Sequence, residues 1–388
     1  MNQRTPIWLI VAISAAIVAA AALFGFGRSQ LGPDGFDAAS TGWDEVTSQA
    51  EGQTVRLWMW GGEAALNDYI DDEVIPAAAG HGVTLERVPI DDTASAMGRL
   101  VAEADSAVEQ GAIDLLWVNG KNFDQGKDAG LWLDRWVPSL PNVDLLDPND
   151  PTLWNDFGVP TDGQEMPWSR AAFVFAYDTA KIDNPPQTFA ELAAYARANP
   201  GRVTYPAPPD FTGSAFVRQA VQALGEDEAF AMLADVDQFL WQGGQSYPSD
   251  QAELERLFAA DEIDLAMSYN PNFVDVAVSR GSMAETVAPY VFETGTLSNV
   301  SFLAIANRAS SPQGAMVVAN LMLGPDLQQA KAEWVGIPSV LTPSVLKDAV
   351  RTDSEPSPYI LVDYATPLEE LPASKVPEID RRWISEIG

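Results

Sequence analysis

An alternation of short apolar strands and amphipathic helices, beginning at Thr54, limits this chain to a small set of folds. The pattern predicts, in chain order, a strand over Thr54–Trp60, a helix over about Glu63–Ala79, a strand over Val83–Pro89, a helix over about Ala94–Gln110 and a strand over Ile113–Val118. Strands that alternate with helices in this way pair in parallel, because each helix returns the chain to the same edge of the sheet. We therefore predict an α/β fold whose mixed, mostly parallel sheets are flanked by helices.

Residues with ligand-binding chemistry follow each of these strands. In sheets of this kind, ligands bind beyond the carboxyl ends of the strands. Aromatic faces stack on rings and cations, and glycine lets a ligand approach the backbone closely. The candidate ligand-binding residues of this part of the chain are Trp60, Gly61, Gly62, Asp92, Thr93, Asn119 and Asn122.

A second candidate site lies in the stretch Tyr205–Gln219. Val203–Tyr205 is predicted as a strand, the prolines after it forbid its continuation, and a helix follows. No acid occupies the first turn of that helix, so its free amides and the positive end of its dipole are predicted to bind an anion. Two alternatives stay open: the stretch is an ordinary capped loop, or an aspartate at its start caps the amides itself or repels an anion. The candidate ligand-binding residues here are Asp210, Thr212, Gly213 and Ser214.

The segment Ile263–Phe273 repeats the pattern of Ile113–Phe123 without a gap. Ile, Asp and Leu coincide at the start, Asn and Phe coincide at the end, and an acidic helix is predicted before each segment. We infer two similar lobes, each directing a strand end and its amides towards a common cleft. Tyr269 and Asn270, at the end of the second strand, and Trp168, between a proline and a serine, are further candidate ligand contacts.

The composition excludes several classes of protein. A length of 388 residues favours two lobes over a single core. The formal net charge of -33 excludes nucleic-acid binding, which needs a basic surface, and attracts cations through long-range forces. The chain has no cysteine and a single histidine, His81, between two glycines, so we expect no metal site and no cofactor.

The N-terminus predicts export. Ile7–Phe26 is nearly continuous apolar sequence, long enough to cross a bilayer at about 1.5 Å per residue. We interpret residues 1–28 as a signal peptide or an uncleaved membrane anchor, and residues 29–52 as a polar linker. The mature protein is accordingly expected in the periplasm or anchored to the outer face of the cytoplasmic membrane.

Several of these stretches together resemble a known family. They are Trp60–Gly62, Ile90–Thr93, Ile113–Phe123, Leu140–Asn142 and Tyr205–Gln219. In this order they are similar to the YnjB-type family of solute-binding components of ABC importers. The resemblance implies a two-lobed periplasmic binding protein fold of the two-crossing type (type II). It also implies capture of a small ligand between hinged lobes, delivery to a permease and an ATPase, no catalysis, and a thiamine-like cargo.

The resemblance also implies a division of the chain. Lobe one is expected to hold residues 53–167 and 298–345, lobe two residues 168–297, and residues 346–388 are expected to pack on the lobes. The chain is expected to cross between the lobes at Ser169–Tyr177 and Val291–Ser301. Closure of the lobes about such crossings is a hinge motion, which the ligand favours by binding the closed state more tightly.

The sequence leaves the chemistry of the ligand open. The helix start at Thr212–Ser214 suits an anion, whereas Asp92 and Asp210 with the aromatic residues suit a cation such as a thiazolium or an amine. A zwitterion or a phosphorylated cation satisfies both. Two alternative functions also stay open: a membrane-anchored, glycosidase-like hydrolase built on paired carboxylates, and an extracellular sensor domain.

Overall fold

A computed structural model describes residues 35–106, 110–349 and 367–388. Its strands are β1 (Thr54–Trp60), β2 (Thr84–Ile90), β3 (Leu115–Val118), β4 (Asn155–Asp156), β5 (Val159–Pro160), β6 (Glu165–Ala172), β7 (Val174–Asp178), β8 (Leu265–Ser268), β9 (Val287–Tyr290), β10 (Thr296–Ile305) and β11 (Pro367–Leu368). The predicted strands at 54–60, 83–89 and 113–118 correspond to β1, β2 and β3, with small shifts at their ends.

Helices alternate with these strands. The α-helices are α1 (Trp43–Ala50), α2 (Ala64–Tyr69), α3 (Ile75–Gly80), α4 (Thr93–Ala104), α5 (Lys121–Asp128), α6 (Phe189–Ala198), α7 (Phe211–Leu224), α8 (Glu226–Val236), α9 (Gln251–Ala259), α10 (Phe273–Ser279), α11 (Pro312–Leu323), α12 (Pro325–Val335), α13 (Pro343–Ala349) and α14 (Val376–Glu386). A π-helical turn, Ile70–Val74, joins α2 to α3, so together they form the single helix predicted after β1.

The sheet of lobe one is mixed. Its strand order is β11-β10-β3-β1-β2, with β6 paired to β10. β1 runs parallel to β2 and β3, as the strand–helix alternation predicts, while β10 runs antiparallel to β3 and β6. Along β1, Val55, Leu57 and Met59 point into the core and the residues between them are half-buried. This parallel arrangement brings the carboxyl ends of β1, β2 and β3 to one edge.

The sheet of lobe two differs from the prediction. β7 pairs with β8 and with β9, and both pairs are antiparallel, so this three-stranded sheet is not mostly parallel. The predicted strand Val203–Tyr205 belongs to no sheet among the described residues, and its backbone makes isolated contacts such as the bond from the Trp241 amide to the Val203 carbonyl at 2.8 Å. Prolines at 206, 208 and 209 supply no amide hydrogens, and the strand ladder therefore cannot extend there.

Two strand connections join the lobes. The chain leaves the first sheet at the end of β6 and enters β7 of the second after Phe173, whose amide donates to the Leu297 carbonyl at 2.8 Å. It returns between the end of β9 at Tyr290 and the start of β10 at Thr296. Both connections lie within the predicted crossings, but β6 carries the first sheet on to Ala172, beyond the predicted boundary after residue 167.

Each lobe has its own apolar core. One buried cluster includes Val55, Leu57 and Phe302 of the first sheet, and a second includes Phe175 and Phe216 of lobe two. Separate cores allow the lobes to move as units about the two connections, because little packing has to be remade. The exact residue boundaries of the lobes remain a prediction.

The predicted linker over residues 29–52 is wrong for its described part. Residues 43–50 form α1, which packs on α11, and Phe36, Ala38, Val46 and Ala50 are buried in the core of lobe one. The Gly-, Asp- and Ser-rich composition favoured a linker, although Val46 and Ala50 lie at helical spacing and are the buried residues of α1. The predicted signal or anchor, residues 1–28, lies outside the described residues. Within the described ranges, the helices are all too short or too polar to span a bilayer.

Candidate functional site

A cavity of about 180 Å³ lies between the two lobes. The ends of β1, β2 and β3 bound it on lobe one, and the start of α7 and the end of β8 bound it on lobe two. A cavity of about 150 Å³ accommodates a benzene ring, so this one has room for a ring-sized group. The predicted site residues that line it are Trp60, Asp92, Thr93, Asn119, Asn122, Asp210, Thr212, Ser214, Tyr269 and Asn270.

Gly61 and Gly62 lie beside the cavity wall rather than in it. A Cβ at Gly62 would stand 2.3 Å from the indole Cζ2 of Trp60, and a Cβ at Gly61 would stand 2.6 Å from the Cβ of Pro89. The glycines therefore let the Trp60 ring fold back over its own backbone and let β1 pass close to β2. Their predicted role as direct ligand contacts is corrected to that of positioning the Trp60 ring.

The start of α7 is occupied by its own chain. Asp210 caps the helix, because its carboxylate accepts the Gly213 amide at 2.9 Å. A Cβ at Gly213 would stand 2.0 Å from the carbonyl oxygen of Pro206, so this glycine packs against the proline loop and does not line the cavity. Of the alternatives left open by the sequence, capping by Asp210 is the one observed, and the predicted anion site at these amides is wrong.

Trp168 is also misplaced by the prediction. Its side chain is 1% exposed, in the core of lobe one. It packs edge-on against Trp117 with ring centroids 5.2 Å apart, and the Lys331 ammonium lies 5.0 Å from its ring. The ladder between β10 and β6 passes from Ser169 to Pro167 and skips Trp168, and at this irregularity Trp168 points inwards while Ser169 and Arg170 reach the cavity. Trp117, which is not among the predicted ligand contacts, lines the cavity.

Sequence reasoning missed several further lining residues. Phe211 and Arg218 lie on α7 of the singled-out stretch, and Lys121 lies in the singled-out loop after β3, so their neighbourhoods were found but not the residues themselves. Glu63 directly follows the candidate Gly62, whereas Phe157 and Val376 carried no local signal, because they are brought to the site by packing between distant segments. Lining residues that were not predicted include Glu63, Trp117, Lys121, Phe157, Arg170, Phe211, Arg218 and Val376.

Every cation that lines the cavity is paired with a carboxylate. Arg170 pairs with Asp150 at 2.6 Å, Lys121 pairs with Asp380 at 2.6 Å, and Arg218 pairs with a glutamate of the C-terminal segment at 2.9 Å. The lining carboxylates, by contrast, have no ion-pair partner within 4.0 Å among the described residues. These carboxylates are Glu63, Asp91, Asp92 and Asp210. The uncompensated charge of the cavity is therefore negative.

Burial of these carboxylates raises their pKa values. Burial raises the pKa of Glu63 to about 8, and the neighbouring Glu255 of lobe two adds to the rise. Burial likewise raises the pKa of Asp210 to about 6 and that of Glu255 to about 7. Crowded carboxylates in a low-dielectric site hold protons that a bound cation would displace.

Aromatic rings surround these charges. Phe211 lies edge-on to Tyr269 with centroids 5.0 Å apart, and the Arg218 guanidinium lies 5.4 Å from the Phe157 ring. Rings next to carboxylates form a setting in which flat cations are bound by stacking and by charge together. The aromatic residues that line the cavity are Trp60, Trp117, Phe157, Phe211 and Tyr269.

Within the described ranges, no group of three or more His, Asp or Glu side chains is arranged to hold a metal ion. Asp92 and Asp210, two of the predicted ligand contacts, are both helix caps, since Asp92 accepts the Ala94 amide at 3.0 Å and Asp210 accepts the Gly213 amide at 2.9 Å. Both carboxylates line the cavity while stabilising α4 and α7.

Comparison with known proteins gives matches of one kind. Residues 76–356 match the model of a family described as bacterial extracellular solute-binding protein. Over 368 residues the chain is 34% identical to protein YnjB of Escherichia coli strain K12, and the alignment covers 89% of this chain and 94% of that protein.

Solved structures with the same fold bind chemically different ligands. A periplasmic thiamin binding protein superposes with a TM-score of 0.65 at 21% identity, over 86% of this chain and 94% of that one. The periplasmic binding protein AfuA of Actinobacillus pleuropneumoniae, with fructose-6-phosphate bound, gives 0.64 at 15% identity, over 86% and 98%. A ferric binding protein of Campylobacter jejuni gives 0.64 at 15%, over 86% and 98%. Similarity at this level establishes the fold and leaves the ligand to be argued from the cavity.

Proposed function

Because this chain belongs to the bacterial extracellular solute-binding protein family and has the type II periplasmic binding protein fold, we propose that it captures a small organic cation between its lobes and delivers it to an ABC permease. The family comprises binding proteins rather than enzymes. The chain works outside the cytoplasm in this proposal, and Ile7–Phe26 directs or tethers it there.

The charge of the cavity carries the proposal of a cationic ligand. Lys121, Arg170 and Arg218 are all neutralised from within the protein, whereas Asp92 and Asp210 face each other from the two lobes without a cationic partner among the described residues. A bound cation relieves repulsion between carboxylates of opposite lobes and so favours the closed state.

The aromatic residues restrict the cation further. Trp60 and Trp117 of lobe one and Phe211 and Tyr269 of lobe two present rings to the same space. A flat, delocalised cation stacks on such rings and loses less hydration than a compact ammonium ion does. Thiamine, a thiazolium with a second ring, has this chemistry, and the similar fold of a thiamin binding protein supports its choice as the first ligand to test.

Differential scanning fluorimetry tests the proposal. Thiamine, thiamine monophosphate, fructose 6-phosphate and ferric citrate are each added to the purified chain at increasing concentration. A ligand at about 100 times its Kd stabilises by about 2.7 kcal/mol, which corresponds to a rise in Tm of about 3 °C in a protein of this size. We expect a rise with thiamine and none with fructose 6-phosphate. Stabilisation by the anion alone would contradict the proposal.

A matched pair of variants then locates the cation. Asp210 and Asp250 both cap helices, accepting the Gly213 and Glu253 amides at 2.9 and 2.8 Å, but only Asp210 lines the cavity. Asparagine caps helices nearly as well as aspartate, so each substitution removes a charge and keeps the cap. We expect Asp210→Asn to weaken thiamine binding about tenfold by calorimetry, or about 1.4 kcal/mol, and Asp250→Asn to leave it nearly unchanged.

A further inference from the structure

The C-terminal segment, residues 367–388, forms part of the wall of the cleft. It is anchored on lobe two, where the Trp383 indole donates to the Tyr205 hydroxyl at 3.0 Å and the Ile379 side chain is 1% exposed. β11 adds to β10 beside the connection between the lobes. The segment also reaches lobe one, since the Ala373 amide donates to the Phe157 carbonyl at 3.1 Å.

Glu370 of this segment occupies a set of groups that would otherwise bind an anion. Its two carboxylate oxygens accept the Nε and Nη2 edge of the Arg218 guanidinium, at 2.9 Å and 3.0 Å, and the carboxylate also accepts the Tyr269 hydroxyl. The remaining Arg218 Nη1 donates to the Ser214 hydroxyl at 2.7 Å. A guanidinium fork with a hydroxyl beside it is the arrangement that binds phosphate and carboxylate ligands in pairs of hydrogen bonds.

Asp380 makes a second contact of the same kind. One carboxylate oxygen accepts the Ser214 hydroxyl at 2.6 Å, and the other accepts the Lys121 ammonium of lobe one at 2.6 Å. The two acids of the segment thus neutralise Arg218 on lobe two and Lys121 on lobe one. Both cations line the cavity, so without these acids it would carry two free positive charges.

We propose that Glu370 is a specificity-determining residue: it fills the anion-binding groups of the cleft from within the chain and so makes the site refuse anions and accept cations. Asp380 has the same role at Lys121. The inference rests on the proposed cationic ligand and explains how a fold that elsewhere holds fructose-6-phosphate presents a negatively charged cavity here.

The burial of the Arg218–Glu370 ion pair hinders an anion from displacing Glu370. The side chains of Arg218 and Glu370 are 1% and 4% exposed. An incoming anion would have to free Glu370, and a buried carboxylate without its partner is strongly unfavourable. The anchoring of the segment through Trp383 and Ile379 keeps Glu370 in place, because withdrawal would expose both apolar side chains to water.

Inorganic phosphate is the probe for this inference, because its binding requires no knowledge of the natural cargo. Glu370→Ala removes the carboxylate and leaves space beside Arg218. We expect the Tm of Glu370→Ala to rise by about 3 °C between 0 and 50 mM phosphate, while the Tm of the wild-type chain does not change. The double variant Glu370→Ala with Arg218→Met lacks the guanidinium that would bind phosphate. It controls for general salt effects, and its Tm should respond to phosphate as that of the wild type does.

Glu370→Gln covers the case in which the alanine variant does not fold. Glutamine keeps the volume and one hydrogen bond to Arg218 but not the charge, so a smaller rise in Tm with phosphate is expected. Phosphate stabilisation of the wild-type chain beyond that of the double variant would overturn the inference, because it would show that an anion binds at Arg218 although Glu370 is present. The inference would equally be overturned if the Glu370→Ala and Glu370→Gln variants fold and their Tm does not change with phosphate. Neither result depends on whether thiamine binds, so the two proposals fail separately.

Discussion

The segments Ile113–Phe123 and Ile263–Phe273 share a sequence pattern but meet the cleft differently. In each, the aspartate after the isoleucine donates its amide to an arginine carbonyl and accepts that arginine's side chain: Asp114 with Arg56, and Asp264 with Arg202. Each then forms a strand, β3 or β8, and continues towards a helix, α5 or α10. The repeated pattern therefore marks the same local unit in both lobes.

The loops that follow the strands serve different ends. In lobe one, Asn119 and Asn122 line the cavity. In lobe two, Asn270 also lines the cavity, but its side-chain amide donates to the Val335 carbonyl at 2.7 Å. The side-chain amide of Asn272 donates to the Gly336 carbonyl at 2.6 Å. These carbonyls end α12 of lobe one. One loop is thus directed to the ligand, and the other also holds the lobes together.

The largest expected difference concerns the two aspartates. Asp114 is fully buried and also accepts the Arg56 and Ser311 amides, whereas Asp264 is 12% exposed. Asp114→Ala should lower the free energy of unfolding by about 3–5 kcal/mol, because it strands a cation and two amides. Asp264→Ala should cost about 1–2 kcal/mol. Guanidinium denaturation measures the free energy of unfolding of both variants. Equal losses would contradict the expected difference between Asp114 and Asp264.

The carboxylates of the two lobes should make cation binding depend on pH. The pKa of Glu63 in lobe one is raised to about 8 and that of Asp210 in lobe two to about 6, both first by burial. Both ionise as pH rises, so thiamine affinity should increase about tenfold between pH 5 and pH 8, which corresponds to one pKa unit of coupling. Calorimetry on Glu63→Gln and Asp210→Asn separates the contributions of the two lobes. Each variant should lose the part of the rise in affinity that occurs near the pKa of the carboxylate it lacks.

The ligand-free protein should show the opposite trend in stability. A folded-state pKa above the unfolded value means that the folded chain holds more protons, so stability falls as pH rises. For Glu63 the contribution is full below pH 4.5 and is lost as pH rises through about 8. A ligand-free chain whose free energy of unfolding rises across this window, and does so unchanged in Glu63→Gln, would contradict the assigned burial.

The smallest expected effect distinguishes the two loops. Asn272→Ala removes the hydrogen bond to the Gly336 carbonyl without touching the cavity, and one such bond contributes about 1 kcal/mol. The closed state should then be less populated, with thiamine affinity lower by about fivefold and a larger ligand-free radius of gyration in solution scattering. Asn122→Ala, on the lobe-one loop, should alter affinity without altering that radius. Equal radii for both variants would mean that the lobe-two loop does not hold the lobes.

Local patterns predicted much of the fold and part of the site. Strand–helix alternation predicted β1, β2 and β3 and the edge where they end, since both periodicities are set by neighbouring residues. The end of the second strand pointed to Asp92, and the proline loop with the helix start after it pointed to Asp210. The direction of strands in lobe two was predicted wrongly, because the partners of β7 are chosen by packing and not by its own sequence.

The sequence by itself determined the class of fold, the two repeated lobe segments and the stretches from which the cleft is built. Only the tertiary structure decided which side chains reach the cleft. Trp117 lines it and Trp168 does not, and Asp210 caps the helix amides that were predicted to bind an anion. It alone brought Glu370 to Arg218, a pair separated by 152 positions. Propensity and periodicity act over a few residues, whereas such a pairing depends on which distant surfaces bury each other, and no local pattern encodes that choice.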